Sequence, residues 1–183
     1  MVVMINGSFG VGKTTVARLL RDALPGSVIY DPEWAGFVLQ RLPGRGRRSP
    51  ASGDFQHMRA WRRSAVAGVR LFRAFARGAV IVPMAFTDRA YFDEVTGGIR
   101  RFEPDLRIFL LRASEKTVQQ RLAGRGTPID GPGAEWIARR VRECVEAHRD
   151  PHFGEPVDTE ARTASEVAGE ILRRLELTRG RPT

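Results

Sequence analysis

The chain has 183 residues, 42% hydrophobic and 28% charged, which suits one globular domain and leaves little room for two. Its longest apolar run, residues 80–86, is far too short to span a bilayer, and no basic flank with a long apolar stretch opens the sequence as a secretory signal would. Cys144 is the single cysteine, which excludes a disulfide framework within the chain and makes a cytoplasmic setting the simplest expectation, while a net charge of +9 favours polyanions such as nucleotides, nucleic acid or acidic lipid headgroups without choosing among them.

In chain order, the β-branched run 2–5 before a group of glycines reads as a buried strand, and residues 12–24 show helical spacing stopped by Pro25-Gly26. A second strand spans 27–30 and ends at Asp31-Pro32, followed by a short helix over 34–42. Residues 43–53, rich in Gly, Pro, Ser and Arg, are expected to form a mobile loop. Asp54 can cap the next helix, whose apolar stripe is Phe55, Met58, Trp61, Val69, Phe72 and Phe75. A third strand covers 79–86, apolar throughout as a central parallel strand should be. A helix over 90–102, a strand over 106–111, a helix capped by Ser114, a helix over 134–148, a short strand at Val157 and a last helix over 164–175 complete the pattern. Five alternations of strand and helix predict a three-layer α/β/α sandwich with a five-stranded parallel sheet, forming one domain over 1–178 with a frayed tail at 179–183. Ligands of such sheets sit at the carboxyl ends of the strands, here Gly7–Thr14, Asp31–Trp34, Pro83–Asp88 and Arg112 onward.

One of these ends carries Gly7-Ser8-Phe9-Gly10-Val11-Gly12-Lys13-Thr14, which fits a glycine, four residues, then Gly-Lys-Thr. The glycines let successive N–H groups turn toward phosphate oxygens, and the helix that follows adds its positive end. Lys13 can reach the β- and γ-phosphates and Thr14 can ligate Mg²⁺, with Thr15 beside it. A buried strand before the loop and an amphipathic helix after it supply the context for an ATP site of the nucleotide-kinase type.

Asp31, at the end of the second strand, can accept a proton from an acceptor hydroxyl or hold a water on Mg²⁺, and Glu33 can share the task; a turn-forming Asp-Pro is the plain alternative. The third strand has no acid at its tip, so the second carboxylate of the metal shell is Asp31, Glu33 or Asp88, the last of which can equally cap a helix. Arg121 and Arg125, one helical turn apart before a Gly/Pro-rich stretch, read as phosphate forks of a lid at 121–133 or as a solvated basic face. Trp34, Phe37 and Met84 are candidates for an apolar acceptor pocket or for the core, and Gln56, Trp61 and Arg62 lie where a helix start can reach that pocket. The arginines between Arg59 and Arg77 form a solvated stripe or a peripheral contact for an acidic membrane. The three histidines are scattered and suggest no metal cluster, and no aromatic platform for nucleic acid is evident.

Taken together, residues 5–14, Tyr30-Asp31-Pro32-Glu33 with Gly36-Phe37, Asp54-Phe55-Gln56, Trp61-Arg62 and Ile81-Val82-Pro83-Met84 resemble the bacterial tunicamycin-resistance ATP-binding proteins. The resemblance covers most of the chain and is strongest over 1–95. It implies ATP binding at Lys13 and Thr14, a catalytic acid at Asp31, and protection against tunicamycin, a nucleoside antibiotic with a fatty acyl chain. Phosphorylation of the drug and ATP-linked sequestration without transfer both remain open. The Asp-Gly-X-Pro-Arg segment of nucleoside-monophosphate kinases does not follow the third strand, which argues against a plain monophosphate substrate.

Overall fold

The computed structural model describes residues 1–32, 57–126 and 134–179. Five strands form one parallel sheet: β1 (Val2–Gly7), β2 (Val28–Ile29), β3 (Val80–Pro83), β4 (Leu106–Arg112) and β5 (Glu155–Asp158), in the order β2-β3-β1-β4-β5. Every residue of β1 is buried, as its central place between β3 and β4 requires. The two-residue period of a strand sends alternate side chains to opposite faces. Val3, Ile5, Ile81, Phe109 and Leu111 enter one core, and Val2, Met4, Val80, Val82, Ile108 and Leu110 enter the other.

Helices cover both faces. The first core is closed by α1 (Lys13–Ala23), α4 (Glu115–Ala123), α5 (Ala134–Ala147) and α6 (Ala164–Arg179), through residues such as Leu20, Val118, Val141 and Ile171. The second is closed by α2 (Arg59–Phe75) and α3 (Arg89–Arg100), through Trp61, Val69, Phe92 and Ile99. The three-layer sandwich expected from the alternation is therefore the observed architecture. Among the described residues no helix is long and apolar enough to cross a membrane. The expected helix at 34–42, the loop at 43–53, Asp54, Phe55 and residues 127–133 of the lid lie outside the described residues.

The stripe expected on α2 is shorter than its apolar residues suggest. Phe72 packs its ring on Tyr30 at 5.0 Å, but Phe75, one turn further on, is 80% exposed. The helix ends at Phe75, whose ring belongs to neither core. The arginines also divide. Arg59, Arg63, Arg70 and Arg77 are exposed, whereas Arg62 is buried against Glu94 and Arg73 is bonded to Glu103.

The open edge at β5 is guarded. Arg174 donates to the Pro156 carbonyl and Arg162 to the Asp158 carbonyl, at 3.0 and 2.9 Å. Glu170 holds both guanidiniums, so one carboxylate sets two caps on a strand edge that would otherwise invite pairing. The hydrogen bond from Arg162 holds the Glu170 carboxyl below its usual range. Such a depressed carboxyl contributes stability above its unfolded pKa, and that contribution disappears as pH falls through the folded value. Glu170→Ala is expected to lower stability by about 1–2 kcal/mol near neutrality and by less in acid, read as urea midpoints at two pH values.

Candidate functional site

From β1 the chain passes to β2 on one side of the sheet, whereas from its neighbour β3 it crosses to β4 on the other, so the strand order reverses beside the end of β1. The crevice at such a point is where ligands of open α/β sheets bind. The loop 7–14 occupies it. Two glycines here have no substitute. Gly7, at φ +152°, would carry a Cβ 2.9 Å from the Leu111 carbonyl oxygen, and Gly10, at φ +82°, one 2.7 Å from Leu122 Cγ. The loop is thus pressed between β4 and α4, with main-chain turns that L side chains seldom adopt.

Three further ties hold it. Lys13 Nζ donates to the carbonyls of Gly7 and Ser8 at 3.0 and 2.9 Å, keeping its charge across the loop. Arg121 donates to the Val11 carbonyl at 3.0 Å and to Thr159 Oγ1 and O at 3.0 and 2.6 Å. The Asn6 side chain, fully buried, accepts from Gly7 N at 2.9 Å and Phe86 N at 3.0 Å and donates to Phe153 O at 3.2 Å. No acid occupies the first turn of α1 and no side chain caps it, unlike α3, capped by Asp88, and α4, capped by Ser114. Its N–H groups and positive end face the loop, an arrangement suited to an anion.

One hollow is lined by the loop itself, and a second lies beyond Arg121, which braces the loop. The first, a cavity of about 100 Å³, is lined by Phe9, Gly10, Gly12, Lys13, Thr14, Asp31, Pro83 and Arg125. It brings together seven sequence candidates from three distant segments: Phe9, Gly10, Gly12, Lys13, Thr14, Asp31 and Arg125. Pro83 helps to open it. Met84 N and Val80 N bond toward β1, so the missing N–H of Pro83 lies on the β2 side, where that strand has already ended. The second, an open hollow of about 620 Å³, lies between α4 and the turn after β5, lined by Thr117, Gln120, Arg121 and residues 160–163. Glu160 accepts from Ser114 N at 2.8 Å and from the Thr117 hydroxyl, which holds its carboxyl below the usual range and fastens this turn to α4. Ala161 beside it has φ +51°, rare for a residue with a side chain. A larger groove, about 740 Å³, runs from β5 past His148 and touches the loop only at Ser8.

The remaining candidates are placed differently. Arg121 is engaged in bracing the loop and lines the α4 hollow, so the pair expected as two phosphate forks is split, with Arg125 alone on the Asp31 side. Met84 is 1% exposed and Trp61 4%, both in the core, with Trp61 Nε1 donating to Pro32 O at 3.2 Å. Trp61 therefore supports the backbone beside Asp31. Arg62 is buried, bonded to Glu94 at 2.6 Å and stacked over Tyr91 at 4.1 Å. Asp88 Oδ1 accepts from Tyr91 N at 2.9 Å as the cap of α3, and does not line the cavity. Thr15 is exposed on α1. Glu33, Trp34, Phe37 and Gln56 lie outside the described residues. Pro151–Phe153 form a 3₁₀ turn whose Phe153 packs against Phe92.

His148 and Asn6 were not legible as site residues. His148, 3% exposed, makes a 2.7 Å bond from Nε2 to the Phe86 carbonyl, and its Nδ1 has no hydrogen-bond partner among the described residues. Burial, with Lys13 and Arg112 nearby, lowers its pKa to about 4. Because Nε2 donates, Nδ1 is the deprotonated nitrogen. The unfolded chain takes up the proton near the ordinary value of about 6.5, so it holds more protons than the folded state below that pH. Stability therefore falls with pH from roughly 6.5 to about 4, by up to about 3 kcal/mol. His148→Gln is expected to flatten that slope, checked by comparing urea midpoints of both proteins at pH 7 and pH 4.5. A polar residue closing an apolar strand was the available signal for Asn6. Nothing local marked His148, whose partner lies 62 residues away.

This site, on this sheet, defines a phosphate-loop nucleotide-binding domain with a kinase-like fold. The chain belongs to the AAA domain family, whose model matches residues 2–147. A tunicamycin resistance protein of Deinococcus radiodurans is 25% identical and superimposes over 96% of each chain with a TM-score of 0.75, in line with the resemblance read from the sequence. A Pyrococcus furiosus protein, provisionally named an adenylate kinase, is 27% identical over 173 residues, 94% of this chain and 82% of its own. A sugar kinase of Janibacter shares the fold at 18% identity, over 95% and 93% of the chains, with a TM-score of 0.63.

Proposed function

We propose that this protein is an ATP-dependent kinase that phosphorylates a hydroxyl of a small, nucleoside-like antibiotic such as tunicamycin. The observation that carries the reading is the single cavity into which Lys13, Thr14, Asp31 and Arg125 converge. The loop amides and Lys13 would hold the β- and γ-phosphates. The base would lie in the hollow between α4 and residues 160–163. Asp31 would take the proton from the acceptor hydroxyl as its oxygen bonds to the γ-phosphorus and the bond to the β-phosphate oxygen breaks, releasing ADP. Arg125 would stabilise charge on the group in transit.

The donor set also suits Mg²⁺. One hydroxyl, Thr14, and one carboxylate, Asp31, border the cavity. Mg²⁺ commonly keeps several waters and completes its shell from substrate phosphates. No group of three or more His, Cys, Asp or Glu forms a fuller cage among the described residues. The ion would neutralise phosphate charge when bound.

The placement of Asp88 as a helix cap, with no acid at the tip of β3, also favours a second reading: ATP-linked capture of the drug without transfer. Mass spectrometry of tunicamycin after incubation with the protein and Mg·ATP separates the two. A gain of one phosphoryl mass supports the kinase. An unchanged drug that binds only with ATP supports capture.

A further inference from the structure

Phe9 stands at the tip of the phosphate loop, 49% exposed between the buried residues Ser8 and Gly10. The backbone around it is held on both sides. Gly10 is wedged against Leu122, Lys13 grips the carbonyls of Gly7 and Ser8, and Arg121 grips that of Val11. Phe9 lines the cavity on the Asp31 side and is absent from the walls of the hollow at α4. A ring serving the nucleotide base would line the second hollow. This one, with Pro83, makes an apolar wall around a space whose only carboxylate among the described lining residues is Asp31. Residue 9 thus belongs to the phosphate loop and also to the wall of the space that Asp31 borders.

We infer that Phe9 is a specificity-determining wall of the acceptor subsite, selecting molecules that present a flat or apolar group beside the reacting hydroxyl. The inference rests on the kinase-like reading of this cavity and adds the class of acceptor to it. An aromatic ring offers its face to a planar base or an alkyl chain. A non-planar, strongly polar sugar acid would gain less from such a face.

The test compares wild type, Phe9→Ala and Phe9→Tyr for phosphoryl transfer from ATP to tunicamycin, and for equilibrium binding of tunicamycin beside a non-hydrolysable ATP analogue. Loss of a stacking face is expected to raise the KM or Kd for the drug roughly 10- to 100-fold in Phe9→Ala. Phe9→Tyr should stay close to wild type and the KM for ATP should be unchanged in both variants. An unchanged drug affinity in Phe9→Ala would overturn the inference, as would equal losses for drug and ATP, which would mean a distorted loop. Wild-type protein that binds the drug without phosphorylating it refutes the kinase alone, and the binding comparison then decides the role of Phe9. Wild-type protein that binds ATP and neither binds nor modifies tunicamycin overturns both.

Discussion

Lys13→Ala is expected to lower kcat/KM for phosphoryl transfer by about 10³-fold, since a fixed charge aimed at a transferring phosphate is commonly worth that much. The loss should appear chiefly in kcat, because the amides of the loop would still hold the nucleotide. The fold should survive. Lys13 touches the loop through two part-buried carbonyls, Gly7 and Ser8, and losing such bonds costs on the order of 1 kcal/mol each. Steady-state kinetics beside a thermal melt would separate the effects. Activity within tenfold of wild type, from a protein melting normally, would remove Lys13 from the role proposed for it.

Asp31→Asn keeps the shape of the cavity and removes the charge. If Asp31 is the proton acceptor, kcat should fall by about 10²–10⁴-fold while ATP binding is retained. A carboxylate that served only to hold a water on Mg²⁺ would behave differently: activity would recover as the Mg²⁺ concentration is raised. Turnover measured across a range of Mg²⁺ therefore tests the assignment directly. Full activity in Asp31→Asn at ordinary Mg²⁺ would exclude both roles.

Much of the fold was legible because its signals are local. The runs at 2–5, 106–111 and 79–86 became β1, β4 and, in shortened form, β3, each with side chains divided between the two cores. Ser114 caps α4 as its residue type and position suggest, accepting from Thr117 N at 3.2 Å. Phe75 misled, because helical spacing says which residues share a face and cannot say how much of that face the core covers. Of the two roles open to Met84, pocket or core, the structure shows the core, and Trp61 joins it there, since a strand tip and a helix can both stand beside a ligand cavity and point their side chains into the core.

The sequence by itself determined the phosphate loop, the alternation of strands and helices, and the candidacy of Asp31. Each is written in contiguous residues whose backbone geometry and chemistry need no distant partner. Tertiary structure decided which candidates meet. The order β2-β3-β1-β4-β5 sets Asp31, Pro83 and Arg125 around the loop at the end of β1. It also turned Arg121 inward as a brace and kept Arg125 on the cavity, although the two are one helical turn apart on the chain. Asn6 and His148 acquired their places only when the tip of β1 and the end of α5 came within hydrogen-bond reach of Phe86, past the end of β3. Proximity of that kind is created by packing two cores against one sheet, and no local pattern of residues encodes it.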